Sequence, residues 1–501
     1  IFEHSAFRHT RRLAPDGERH VGIGLEPEES VLHGPRLRVA SDSAWTLAGC
    51  LDRAVELTPE RGLRCLDARG QGTLRSYALL RADALQFLDA LRLRGVQSGE
   101  RVILCTADTE DLITGLWACL LGGLVPIPLA PPAARGGTQA AATRLAGVIR
   151  CLGDSWLLGS EPVLLSLGGT HGVRLLPIEP IRAHRSDDEI QPTPAGPDEL
   201  GLIQFSSGST GQPKGIRLTQ RQLLHNIRAI IQSLGGRSDD VFLSWLPLFH
   251  DMGLIGYHLL PIVASCNQIW MPTTLFMRRP LRWLQLLSEH RATVTASPSF
   301  GLAHVLEHVP ASAVEELDLS AVHCLLNGAE PVSLGVIEDV QARLGRAGLD
   351  PSAMRPAYGM AEASLCLTAP EPGAAVRAWT WCRRSMGQRS GVKTDSRGAT
   401  FVGLGAPIAG LSIRVVDASG GVVEVGVAGE VEAKGPSLTE GYEGDPEATA
   451  AAFRGGWLRT GDRGVIIDGQ LVLTGRDKDL IIANGANLHA HDLEAVAGTV
   501  D

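Results

Sequence analysis

Apolar residues recur every three to four positions over 45–57, 79–93, 221–234, 280–289 and 332–344, the spacing that puts one face of an α-helix against a core. Between these segments stand short apolar runs at 102–105, 202–205, 241–243, 293–295 and 322–326, which read as strands buried on both faces. Helix and strand patterns that alternate in this way predict α/β architecture with doubly wound parallel sheets. From about residue 402 the pattern changes to short strands with glycine turns, at 411–416, 429–433 and 470–474, which predicts a small β-barrel subdomain over 402–475. A further unit starts after Gly475, and the remainder to Asp501 is too short for a core of its own. Residues 112–134 carry no charge, yet Gly122, Gly123, Pro126, Pro128, Pro131 and Pro132 break any continuous helix. That segment predicts a buried helix, a short strand at 124–127 and a Pro-rich turn, not a membrane span.

Composition adds bounds to this picture. The 501 residues, 44% hydrophobic and 20% charged, suit a globular chain with room for two or more domains. A net charge of −9, from 46 basic and 55 acidic residues, argues against a nucleic-acid partner while leaving room for a local basic pocket. Nine cysteines lie scattered without a C-x-x-C pair, which points to a reduced, cytoplasmic protein and away from a thiolate metal site. The chain opens at Ile1 without a basic-apolar-small signal pattern, and reads as a soluble piece of something longer. Residues 1–40, rich in Arg and Glu, read as an extension or linker ahead of a main domain over 41–475.

The most informative chemistry follows the run at 202–205. Ser206, Ser207, Gly208, Ser209, Thr210, Gly211, Gln212, Pro213, Lys214 and Gly215 bring hydroxyl donors, backbone N–H groups exposed by glycine and one cationic side chain into a single loop, which suits a polyphosphate. A generic P-loop would read G-x-x-x-x-G-K-[ST], and the Pro213-Lys214-Gly215 order departs from it. Tyr358-Gly359-Met360-Ala361-Glu362, Leu458-Arg459-Thr460-Gly461-Asp462 and Gly475-Arg476-Asp477-Lys478-Asp479 follow in order downstream. Together these motifs resemble those of the ANL adenylate-forming enzymes, a group that includes acyl-CoA synthetases, peptide-synthetase adenylation domains and fatty acyl-AMP ligases. The resemblance runs from about Trp45 to the C-terminus.

That resemblance implies a large ANL-type N-terminal domain of two doubly wound sheets and a small β-barrel, followed by a truncated α+β C-terminal domain over 476–501. It implies ATP and Mg2+ as cofactors. Ser206 to Gly211 and Lys214 would hold phosphates, and Glu362 would hold the metal. Tyr358, Gly359 and Met360, with Asn327, Gly328, Ala329 and Glu330, would form the adenine side. Asp462 would accept hydrogen bonds from the ribose, Arg476 would make a second ribose or phosphate contact, and Lys478 would be the hinge. The family also has a lysine near the end of its C-terminal domain, whereas Lys478 is the last lysine here; the helical pattern interrupted near 494–498 reads as a fragment.

Two features narrow the subclass. Trp245-Leu246-Pro247-Leu248-Phe249-His250-Asp251-Met252-Gly253-Leu254 resembles the fatty acyl-AMP ligase motif, as do 277–284 and 361–365. Trp245, Phe249, His250, Tyr257 and Ser299 are thereby assigned to an acyl pocket, with Lys214, His250 and Glu362 as catalytic candidates. Phe249 is followed by His250 where amino-acid-activating domains place an Asp, which disfavours an α-amino acid. Tyr257 stands where relatives often have a smaller residue, so its ring would shorten the pocket. The second feature is length: about 40 residues separate Glu362 from Gly405, long for a compact domain. The stretch 375–400 matches in place the insertion of fatty acyl-AMP ligases, and Trp379 and Trp381 within it argue for packing. The implied activity is ATP-dependent conversion of a fatty or other carboxylic acid to its acyl-adenylate. Transfer to the phosphopantetheine thiol of a holo acyl or peptidyl carrier protein would follow, in polyketide or lipopeptide synthesis. An acyl-CoA synthetase and a non-catalytic acyl- or nucleotide-binding scaffold are the alternatives.

Overall fold

The structure is a computed structural model that describes residues 29–132, 138–166, 172–206, 213–382, 391–395, 398–476, 480–483 and 486–489. Ser207 to Gly211 and Lys478 therefore lie outside the described residues, as do 383–390 and 396–397 of the expected insertion.

Helices stand where the periodicity placed them, at Leu47–Leu57, Tyr77–Leu93, Gln220–Leu234, Pro280–Glu289 and Leu334–Leu344. Their starts follow from local chemistry. The Ser76 hydroxyl accepts from Leu79 N, and Thr219 and Gln222 form a reciprocal capping box before Gln220–Leu234. The latter helix stops at Gly235, whose φ of 64° is the left-handed conformation a side chain disfavours. The uncharged segment becomes helix Thr109–Leu121, buried from Asp111 onward, and strand Val125–Pro128. Among the described residues no helix is long and apolar enough to cross a membrane.

Two sheets are parallel, as the alternation predicted. One has four strands in the order Val125–Pro128, Arg101–Cys105, Ser155–Gly159, Val173–Pro177. The other has seven, running Met354–Pro356, Cys324–Asn327, Val294–Ala296, Val241–Ser244, Asn267–Trp270, Gly62–Cys65 and Leu74–Ser76, of which only the last pair is antiparallel. The apolar run at 202–205 departs from the expectation of a parallel strand. It belongs to Leu200–Ser206, which pairs antiparallel with Lys214–Thr219. The connection between them is long enough for a hairpin but not for a parallel crossover, which needs a dozen or more residues.

The region after 402 forms a six-stranded antiparallel sheet built on Ser412–Val416, Gly429–Lys434, Trp457–Ile467 and Gln470–Arg476. Among the described strands this ladder is open, not closed into the expected small barrel. Its far edge is Val31–His33, paired with Ser412–Val416, and Gln232 bonds Arg36 O and Arg38 N. Part of the expected N-terminal extension is thus a component of the folded body. The expected insertion contributes a hairpin, Ala378–Trp381 with Ala399–Val402, that packs Trp381 and Phe401 against Val465 and Val472. Apolar pairing of this kind is what the two tryptophans foretold.

Candidate active site

Helix-to-sheet packing leaves a cavity of about 830 Å3 between the parallel seven-stranded sheet and the antiparallel sheet. Its lining combines charged groups, Lys214, Asp251, Glu362, Asp462 and Arg476, with apolar ones, Ile230, Leu234, Phe242, Tyr257, Leu260 and Val294.

Lys214 begins the second hairpin strand and lies in register with Ser206, so the two ends of the phosphate-loop candidate are held side by side. Its Nζ stands 4.6 Å from the centre of the Tyr442 ring, over its face. The Tyr442 hydroxyl donates to Glu362 Oε1 at 3.0 Å. Segment 439–443 makes this meeting possible. Thr439 N donates to Glu362 O at 2.7 Å, while Glu443 N donates to Gly215 O at 2.7 Å, so one stretch of backbone ties the lysine hairpin to the glutamate turn. Burial pushes the Glu362 carboxyl above its ordinary 4.5, the Asp251 charge adds to the shift, and Tyr442 and Lys214 oppose it.

Glu362 sits in a short 3-10 turn, Ala361–Ala363, which ends at Ser364 with φ of 69°. Ala329, across the cavity, has φ of 70°. Non-glycine residues in this region cost conformational energy, and such outliers cluster at functional sites. A Cβ on Gly359 would collide with the Leu365 carbonyl oxygen, which accounts for glycine after Tyr358.

On the opposite wall Asp462 lies in register with Arg476 on the neighbouring strand. Arg476 Nε donates to Asp462 Oδ1 at 2.8 Å, and the Tyr358 hydroxyl donates to Asp462 Oδ2 at 2.6 Å. Arg459 forms a two-point ion pair with Glu430 beside them, at 2.9 and 3.1 Å. His250 Nδ1 lies 2.7 Å from Asp251 Oδ1, with the histidine side chain half exposed. The hydrogen bond that the imidazole donates to the Asp251 carboxylate raises its pKa above 6.5, against the effect of burial.

The AMP-binding enzyme family profile matches residues 51–443 of this chain, well over half of it. The chain belongs to the AMP-binding enzyme family. A Caulobacter vibrioides protein provisionally named an acyl-CoA synthetase is 33% identical over 464 residues, covering 90% of this chain and 80% of the relative. The medium-chain-fatty-acid–[acyl-carrier-protein] ligase JamA of Moorena producens is 30% identical, covering 80% of this chain and 71% of the relative. A solved fatty acyl-adenylate ligase, from a study of the E. coli and L. pneumophila enzymes, superposes with a TM-score of 0.84 at 30% identity, covering 90% of this chain and 83% of that one. The α/β fold expected from the sequence is therefore that of AMP-binding enzymes.

Within this AMP-binding fold, the residues expected at the site divide. Ser206, Lys214, His250, Tyr257, Gly328, Ala329, Tyr358, Gly359, Met360, Glu362, Asp462 and Arg476 line the one cavity. Asn327 does not: it is buried and bonds Ser297 O at 2.9 Å. Glu330 accepts from Phe300 N at 2.6 Å, and Ser299 is buried with its hydroxyl 3.4 Å from Asn327 Oδ1. Trp245 is buried in a stack on Phe276 at 3.8 Å, and Phe249 lies at the surface, so neither lines the cavity wall. The sequence reading gave no role to Asp251, Tyr442 or Arg459. Asp251 and Arg459 stand inside quoted motifs, so their position was a signal; Tyr442 is one of only four tyrosines, and nothing local marks it.

A second cavity of about 200 Å3 shares Ile230, Leu234, Phe242, Leu260 and Val294 with the first. Tyr257 borders the larger one, its ring edge-on to Phe242 at 6.0 Å. It belongs to Met252–Leu259, a fully buried π-helical segment. Such wide turns recur at functional sites.

Proposed function

We propose that this protein adenylates a fatty or similarly apolar carboxylic acid with ATP and passes the acyl group to the phosphopantetheine thiol of a carrier protein. The observation that carries this reading is a single cavity lined both by charged groups suited to a nucleotide and by apolar side chains suited to an acyl chain, with His250 and Asp251 among its lining residues. The relatives named above, a carrier-protein ligase and a fatty acyl-adenylate ligase, support it.

In this reading the acid's carboxylate oxygen bonds to the α-phosphorus of ATP as the bond to pyrophosphate breaks. Two anions must be brought together, so the protein's task is orientation and charge neutralisation. Lys214 supplies a cation at the end of the phosphate loop, and Asp462 accepts from the ribose hydroxyls. Tyr358, which expectation stacked on adenine, also holds Asp462 in place through its hydroxyl. The carboxylate oxygens of Glu362 and Asp251, on one wall, fit a hard cation. Mg2+ bound there would shield the phosphates' negative charge from the incoming carboxylate. The division at 475, with Lys478 as hinge, and a cytoplasmic setting belong to the same proposal.

The hairpin over 375–400 is proposed to disfavour CoA as acceptor, since it packs on the antiparallel sheet that leads into 476–501. The second reading is an acyl-CoA synthetase, favoured by the name of the Caulobacter relative. Incubation with ATP, a panel of carboxylic acids, and either CoA or holo-carrier protein separates the two. The expected products are acyl-adenylate and acyl-carrier protein without acyl-CoA. Efficient acyl-CoA formation by the intact protein would favour the second reading, and absence of adenylate with every acid would sink both.

A further inference from the structure

Helix Ser299–His308 ends in His304-Val305-Leu306-Glu307-His308, away from the nucleotide cavity. Residues three and four apart on a helix share a face, so His304, Glu307 and His308 project together. One donor atom from each lies within 4.8 Å of the other two. The two imidazole rings are 4.3 Å apart, and Glu307 Oε2 is 3.7 Å from His308 Nδ1. His304 is half-buried, and Glu307 and His308 are exposed, which leaves one side of the group open to solvent.

The orientation of the rings says more than their proximity. His304 Nε2 lies 3.0 Å from Met277 O, and His308 Nδ1 lies 3.1 Å from His304 O. Carbonyl oxygens only accept, so each of these nitrogens carries a proton. His304 Nδ1 and His308 Nε2 are then left with their lone pairs. A ring with one N–H tied to a backbone carbonyl and the other nitrogen unprotonated is how metal-binding histidines are held.

We propose that His304, Glu307 and His308 form a surface site for a first-row transition cation of the Zn2+ type, with water in the remaining positions. Imidazole donors select Zn2+, Co2+, Ni2+ or Cu2+, whereas Mg2+ takes oxygen ligands in a near-octahedral shell. The site is therefore chemically distinct from the Glu362 wall. Metal–ligand bonds of about 2.0–2.2 Å require the three donors to draw closer than they stand now. Rotation of the exposed Glu307 side chain, with both imidazoles kept on their carbonyls, supplies that movement. Because His304 also holds the Met277 carbonyl, the cation would fasten this helix to Thr273–Arg278, whose Phe276 stacks on Trp245.

The test uses the full chain, stripped with a chelator and then titrated with ZnCl2 by calorimetry and with Co2+ by visible absorption. The expected result is one saturable site, unaffected by millimolar Mg2+, with a Co2+ spectrum free of thiolate charge-transfer bands. Zn2+ should raise the melting midpoint of the wild type and not that of His308→Ala or of Glu307→Ala. Both altered residues are exposed, so these variants should fold, which an unchanged metal-free midpoint would verify. Absence of Zn2+ binding by the wild type, equal binding by the His308→Ala and Glu307→Ala variants, or a thiolate-type spectrum would each overturn the proposal.

Discussion

Two of the cavity's carboxylates, Asp462 and Glu362, are fixed in different ways. Asp462 stands in the middle of an antiparallel ladder, directly across from Arg476, and both of its oxygens are engaged, one by Arg476 and one by Tyr358. Glu362 stands in a single 3-10 turn that ends in a left-handed Ser364, and its side chain has Tyr442 as hydroxyl partner. A carboxylate held by sheet register and two charged or polar donors is preorganised before any ligand arrives. Glu362 is instead placed by its turn and by a tyrosine hydroxyl, side-chain contact standing in for strand pairing. The Asp462 side of the cavity is thus built by backbone pairing, and the Glu362 side by a run of side-chain contacts through Lys214, Tyr442 and Glu362.

That contrast can be broken most directly at Glu362. Glu362→Gln keeps the shape and removes the charge, and adenylate formation measured by pyrophosphate exchange should fall about 10²- to 10³-fold, the size of loss when one electrostatic group at a reacting centre is removed. Nucleotide binding without magnesium should change little. A matching loss of magnesium-free binding would show that Glu362 belongs to the preformed part of the site.

Asp462→Ala should act on binding, weakening ATP affinity by about 1.5–3 kcal/mol as a charged hydrogen-bond partner is lost. Calorimetric titration reads this, and unchanged affinity would remove Asp462 from the nucleotide site. Tyr442→Phe sharpens the comparison, because it deletes the hydroxyl that reaches Glu362 and keeps the ring under Lys214. The expected cost is about 0.5–1.5 kcal/mol in magnesium-dependent ATP binding, the net value of a typical hydrogen bond. A magnesium titration that superposes on the wild type would break this link.

The smallest expected effect is the pH response. The Glu362 carboxyl is raised above 4.5 by burial, so magnesium-dependent binding should begin to fall on acidification while ordinary carboxylates are still ionised. Folding stability from this group has the opposite sign: it is present below the unfolded value of 4.5 and is lost as pH rises through the raised folded value. Binding by Glu362→Gln should lack this acid limb. An identical acid limb in the variant would assign the effect elsewhere.

Much of the site was legible because its parts are short and bounded by glycine. Tyr358-Gly359, Thr460-Gly461-Asp462 and Gly475-Arg476 each mark a place where the chain turns or pairs at close range, and the fold brings all three to one cavity. The acyl side was less legible. Trp245, Phe249 and Ser299 stand in or near the right motifs, yet none lines the cavity, because an apolar motif says that a side chain is enclosed without saying which neighbour encloses it. The 202–205 run shows the same limit for strands. Its apolarity fixed burial, while the short connection to Lys214–Thr219 decided antiparallel pairing.

The amino-acid sequence by itself placed the longer amphipathic helices and the central strands of the parallel sheets, since hydrophobic period, caps and glycine turns act over a few residues. It also determined which residue types could meet a nucleotide. Only the tertiary structure decided that Tyr442 reaches Glu362 from eighty positions away, that Val31–His33 forms an edge of the distant antiparallel sheet, and that Asp462 accepts from both Tyr358 and Arg476. Those contacts depend on how whole elements pack, and no local spacing encodes that arrangement.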